Sequence, residues 1–229
     1  SWTKLVKAGA RSYYRFDTRF CLGRTVDMVE TQIPHTISRR AWHRWVLAGG
    51  AGLAGLSKVQ AQTAPACPAL LSRSFARLQD EKPVSLCRYA GRVLLVVNTA
   101  SLCGFTPQYR ALESLHAQFS AEGLTVLGFP ANDFGNQEPG TAEQIADLCE
   151  NTFGVRFPLF AKSTVVESAG ARRNPLFADL ARMTGVSPRW NFHKYLVARD
   201  GLSAQSFDSR VDPSSGPFVA AVRKLLAAR

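Results

Sequence analysis

The five cysteines, Cys21, Cys67, Cys87, Cys103 and Cys149, are odd in number, and no two stand in a C-x-x-C pair. That spacing excludes a zinc ribbon and a vicinal dithiol motif. Only four histidines are present and they are scattered, so no metal cluster is suggested. No apolar run reaches the roughly 20 residues that span a bilayer comfortably. Acidic residues are scarce, 17 against 28 Lys and Arg, and the net charge of +11 invites a nucleic-acid reading. The excess is local, however. Residues 1–61 hold ten basic and three acidic side chains, leaving +4 for residues 62–229. That region has no basic stripe interleaved with aromatics, so nucleic acid is not an expected partner.

The first sixty residues read as processing signals rather than as a fold. Residues 1–27 begin without methionine and carry no clean period, and Met28 is a plausible start with unrelated upstream translation before it. Ser38-Arg39-Arg40-Ala41-Trp42 precedes a twelve-residue apolar stretch, Trp45 to Leu56, followed by Val59-Gln60-Ala61. A basic segment, a short apolar segment and a small-residue cleavage site describe a signal peptide over 28–61. The twin arginine resembles the leader of the pathway that exports folded proteins, which makes the expected location periplasmic, with the cytoplasm as the alternative. Residues 62–70, with two prolines, read as a linker into one domain, 71–229.

The domain is organised around Val93-Leu94-Leu95-Val96-Val97, an unbroken apolar run of the kind found in strands buried on both faces. A polar loop follows and delivers Cys103 just before Gly104-Phe105-Thr106-Pro107. Thr106 and Pro107 read as a helix start, and Leu112, Leu115, His116 and Phe119 share one helix face. Cys103 thus sits between a buried strand and a helix N-terminus, where unpaired backbone N–H groups favour a thiolate. Upstream, Phe75 to Leu86 reads as a β-hairpin, with Cys67 and Cys87 near its ends and no role assigned to either. Downstream, Leu124 to Phe129 reads as a strand completing a parallel βαβ unit. The loop Pro130 to Gly140 emerges at the same end as Cys103, where such sheets bind ligands, with Asn132 and Gln137 as its site-lining candidates. A capping box at Thr141 opens a helix through about Asn151, with Ile145, Leu148 and Cys149 on its apolar face. A short strand at Phe157–Phe160, a helix at Pro175–Met183, strands at 194–198 and 202–207 around Asp200-Gly201, and a closing helix at 218–228 complete the order. The pattern is a thioredoxin-like α/β domain: a mixed central sheet flanked by helices, with an N-terminal hairpin.

Three stretches, Asn98 to Tyr109, Gly128 to Gly140 and Trp190 to Val197, resemble the glutathione peroxidases in order and spacing. The resemblance covers roughly residues 70–229. It implies a peroxidatic tetrad at Cys103, Gln137, Trp190 and Asn191, with no metal and no cofactor. The chemistry suits those residue types: a thiolate displaces at the O–O bond of a hydroperoxide and becomes a sulfenic acid. Amide and indole donors stabilise the thiolate and orient peroxide oxygen.

The departures from the family pattern matter too. Ala131 stands where many members carry cysteine, and Asp133 where many carry Gln; Asp133 adds a carboxylate that opposes a thiolate unless it faces away. Cys149 stands where the cysteine-type, thioredoxin-dependent members carry their resolving cysteine. The resemblance therefore implies a Cys103–Cys149 disulfide, reduced by thioredoxin or glutathione, and local unwinding of the Cys149 helix to form it. The short segment between Phe160 and Trp190 lacks the insertion of tetrameric members, which implies a monomer. Two alternatives stand beside the peroxidase: a non-enzymatic peroxide sensor, and another thioredoxin-fold redox module, which would need the missing C-x-x-C.

Overall fold

A computed structural model describes residues 66–167 and 172–228. The leader, the upstream segment and most of the expected linker lie outside those residues. A short hairpin comes first, β1 (Ser74–Ala76) against β2 (Pro83–Ser85), antiparallel, with Phe75 opposite Val84. The main sheet has four strands in the order β4-β3-β5-β6: β3 (Val93–Thr99), β4 (Leu124–Pro130), β5 (Lys194–Val197) and β6 (Ala204–Phe207). β3 and β4 are parallel, and β5 runs antiparallel to both β3 and β6, so the sheet is mixed.

Strands β3 and β4 are buried along their full length. Alternation along β3 divides the core. Val93, Leu95 and Val97 pack with helix α1 (Gln108–Phe119), helix α2 (Ala142–Asp147) and helix α4 (Gly216–Ala227). Leu94 and Val96 face the other way, onto helix α3 (Pro175–Thr184), Phe129 and Tyr195. Side chains alternate faces in any strand, so a strand covered by helices on both sides must be apolar throughout. Truncating Leu95 to alanine at its fully buried position would cost about 2–5 kcal/mol. None of the described helices is long and apolar enough to cross a membrane.

Three expectations need correcting. Phe157–Phe160 is not a strand of the sheet. It makes isolated bridges, Leu159 to Gly128 and Phe160 to Arg77, and Pro158 in its middle has no N–H to give to a ladder. The capped helix at Thr141 ends its regular winding at Asp147 and continues as a π-helical turn, Leu148–Thr152, which contains Cys149. The linker is shorter than expected: Ala69–Leu71 form a 3-10 turn with Leu70 and Leu71 buried, and Cys67 is disulfide-bonded to Cys87 at the end of the hairpin.

Candidate active site

Cys103 lies in the loop between β3 and α1, with only 7% of its surface exposed. The loop holds its shape through Thr106. Its hydroxyl accepts the Cys103 N–H at 3.1 Å and lies within bonding distance of the Ala100 and Cys103 carbonyls, at 2.9 and 2.7 Å. Thr106 was expected to cap the helix, but Pro107 occupies the cap position and the Thr106 hydroxyl is spent on the cysteine's own loop. The Phe105 N–H points at the Cys103 sulfur at 3.4 Å, a donor aimed where thiolate charge would sit.

Of the other three expected residues, Gln137 and Asn191 are bonded to each other, and the loop that carries Gln137 is bonded to the cysteine loop. Leu102 N–H donates to the Gln137 carbonyl at 3.0 Å, tying the cysteine loop to the loop after β4. The Asn191 side-chain amide donates to Gln137 Oε1 at 2.9 Å and reaches the Phe134 carbonyl at 3.4 Å. Asn191 thereby fixes the Gln137 amide with its oxygen occupied and its nitrogen left as a donor. Trp190 packs beside Phe134, ring centroids 5.9 Å apart, and is 39% exposed. That exposure rules out plain core packing for it. Gly135 in this loop adopts φ +64, a backbone conformation that side-chain-bearing residues rarely take. Trp190 also borders a groove of about 500 Å³ with Phe105, Arg189, Asp208, Ser209 and Arg210.

The Asn132 side chain is engaged within its own loop. Its Oδ1 accepts the Glu138 N–H at 2.8 Å and its amide bonds Asn136, so it closes its own loop. Asp133 faces away, accepting the Val165 N–H at 2.7 Å, so its carboxylate is not turned on the thiol.

Cys149 is fully buried in the same core cluster as Cys103 and Tyr109, and both Cys103 and Cys149 are free thiols. Burial pushes the Cys149 thiol up to about 12, with the charge of Glu138 adding to the shift. The tyrosine hydroxyl beside it is raised well above its ordinary range, again by burial. Glu138 itself is fully buried, and loss of hydration lifts its carboxyl to about 7 despite Lys162 nearby. The Lys162 ammonium bonds the Glu138 and Gly140 carbonyls at 3.1 and 3.0 Å, closing the far end of the loop. Sequence reasoning missed Glu138: a charged side chain buried inside a fold leaves no periodic signature, and only its place next to Gln137 hinted at a role.

Comparison with known proteins finds clear relatives. The glutathione peroxidase profile matches residues 72–181. A hydroperoxy fatty acid reductase of Synechocystis is 44% identical over 164 residues, 66% of this chain and 92% of that protein. The thioredoxin/glutathione peroxidase BtuE of Escherichia coli is 38% identical over 172 residues, 65% of this chain and 92% of its own. Among solved structures, the apo form of Trgpx is 30% identical with a TM-score of 0.53, over 69% of this chain and 95% of that one. A thioredoxin-family thiol:disulfide interchange protein from Chlorobium tepidum, 14% identical at a TM-score of 0.51 over 72% of this chain and 99% of that one, shares the thioredoxin-like fold. With relatives of this identity matched over nearly their whole length, the chain belongs to the glutathione peroxidase family.

Proposed function

We propose that the chain is a two-cysteine thiol peroxidase reducing hydrogen peroxide or organic hydroperoxides, with Cys103 as the attacking sulfur. The observation that carries this reading is the Asn191–Gln137 bond, set beside a cysteine loop that is itself fastened to the Gln137 backbone. The Cys103 thiolate attacks the terminal oxygen, the O–O bond breaks, and the departing alkoxide or hydroxide takes a proton. The Gln137 amide N–H, oriented by Asn191, and the Trp190 indole N–H hold the reacting oxygens. Cys149 then attacks the sulfenic acid: an S–S bond forms, the S–O bond breaks, and the Cys149 proton leaves with the oxygen as water. A dithiol of the thioredoxin kind returns both cysteines to thiols. The π-helical turn supports this second step, because such turns are local departures from regular winding that recur at functional sites. Cys149 must leave its pocket, and its helix is already irregular there.

Export through the twin-arginine leader belongs to the same reading. The Cys67–Cys87 bond favours it, since structural disulfides persist in oxidising compartments. The short segment between Phe160 and Trp190 favours a monomer. The test is peroxide consumption by the full chain with a thioredoxin system and with glutathione in turn, beside Cys103→Ser and Cys149→Ser. Turnover with thioredoxin, lost in both variants, is the expected result. Glutathione turnover that survives Cys149→Ser would make Cys149 structural.

A further inference from the structure

Lys194 opens β5, immediately after the turn that carries Trp190 and Asn191, and its side chain is completely buried. Among the described residues it forms no salt bridge. Its ammonium donates instead to two backbone carbonyls, Phe192 at 2.7 Å and Ser209 at 3.3 Å. Burying an ammonium on neutral partners is expensive, and a methionine of similar length would fill the space without that cost. Desolvation pushes the amine down to about 7, against the opposing charges of Asp208 and Asp212.

What the two carbonyls belong to gives the lysine its significance. Phe192 sits at φ +62, an unfavourable backbone for a bulky residue, and closes the turn behind Asn191. That turn is held at three points. Asn98 in β3 bonds the Trp190 carbonyl through its amide at 3.1 Å and takes the Phe192 N–H on its own carbonyl at 2.7 Å. Lys194 supplies the third. Ser209 belongs to the opposite wall of the groove, and its carbonyl also accepts from Gln108 at the start of α1, at 2.8 Å. One ammonium thus joins the turn that presents Trp190 and Asn191 to the loop that faces Trp190 across the groove, and Gln108 ties that loop to the helix of Cys103.

We infer that Lys194 is a positioning residue of the peroxide site, holding the Trp190–Phe192 turn and the Asp208–Arg210 loop at a fixed separation around the substrate. The inference rests on the peroxidase reading. It acts on the oxidation of Cys103 and leaves the reduction of the enzyme alone.

The test uses the full chain. Loss of free Cys103 thiol is followed by alkylation and peptide mass in single turnover, with hydrogen peroxide and with cumene hydroperoxide. Lys194→Met should slow Cys103 oxidation about 10–100-fold, the scale of a misplaced catalytic group. The loss should be greater for cumene hydroperoxide, which needs the groove as well as the donors. Reduction of the oxidised variant by dithiothreitol should match wild type, a control that separates misplacement from general damage. A folded Lys194→Met with wild-type oxidation rates for both substrates overturns the inference. If that variant does not fold, Gln108→Leu decides: a several-fold loss confined to cumene hydroperoxide supports it, and unchanged rates with both refute it. A wild type in which peroxide leaves Cys103 unmodified would instead remove the peroxidase reading itself.

Discussion

Two pairs of cysteines divide this domain between them, and their surroundings differ in every respect. Cys67 and Cys87 are 20 residues apart, partly exposed, already joined, and lie where the N-terminal segment meets the hairpin. Cys103 and Cys149 are 46 residues apart in the sequence, buried, and free. The first pair needs no motion to stay bonded. In the second pair, burial holds the Cys149 proton up to about 12. The two pairs are told apart by burial and by bonding. A reductant acting on one pair need not reach the other.

The sharpest way to break that contrast is Cys103→Ser. Peroxide turnover should fall to background, a loss of more than about a thousandfold, while non-reducing mass analysis still finds Cys67 bonded to Cys87. Cys149→Ser should come next. Steady-state turnover with thioredoxin should drop about a hundredfold or more, yet Cys103 should still oxidise in a single turnover. The corresponding wild-type digest should contain a Cys103–Cys149 peptide after peroxide; its absence would end the resolving role.

The other pair should behave in reverse. Replacing Cys67 and Cys87 together by serine should cost roughly 3 kcal/mol of stability, the loop-closure value for a loop of that length, measured by denaturant unfolding. Peroxidase activity per folded molecule should stay unchanged. If activity fell with stability intact, the two pairs would be coupled and the contrast would fail.

The smallest effect depends on pH. The folded protein holds the Glu138 proton up to about 7, whereas the unfolded chain releases it near 4.5. The folded state therefore keeps a proton that the unfolded state gives up, and stability is lost as pH rises from about 4.5 through 7. Glu138→Gln should remove that slope, gaining on the order of 2 kcal/mol over wild type by pH 8. Parallel unfolding curves for the two proteins across this range would show that Glu138 is not held protonated beside Cys149.

The legible part of this molecule was local. The apolar β3 run and the capping box at Thr141 follow from residue type and period and formed where expected, while the helix after Cys103 formed with Pro107 in place of Thr106 at its cap. The positions of Gln137, Trp190 and Asn191 came from the family resemblance, since nothing in a Trp-Asn pair announces a site. The Cys67–Cys87 bond was illegible because pairing depends on where the segment before the hairpin docks, which no local pattern records. Lys194 was hidden for a related reason: at the head of a short strand it reads as an edge charge, and only the chain's return at Ser209 gives its ammonium a second acceptor. The π-helical turn has no sequence signature at all.

Trp190 carries one more consequence. It is the single tryptophan between residues 63 and 229, it is partly open to solvent, and it borders the groove beside the Cys103 loop. The domain therefore contains one indole emitter, excitable apart from its tyrosines at long ultraviolet wavelengths and placed where oxidation, thiolate charge and a seated hydroperoxide would each alter its surroundings. Light absorbed by that one indole gives the catalytic cycle an optical readout without any added label.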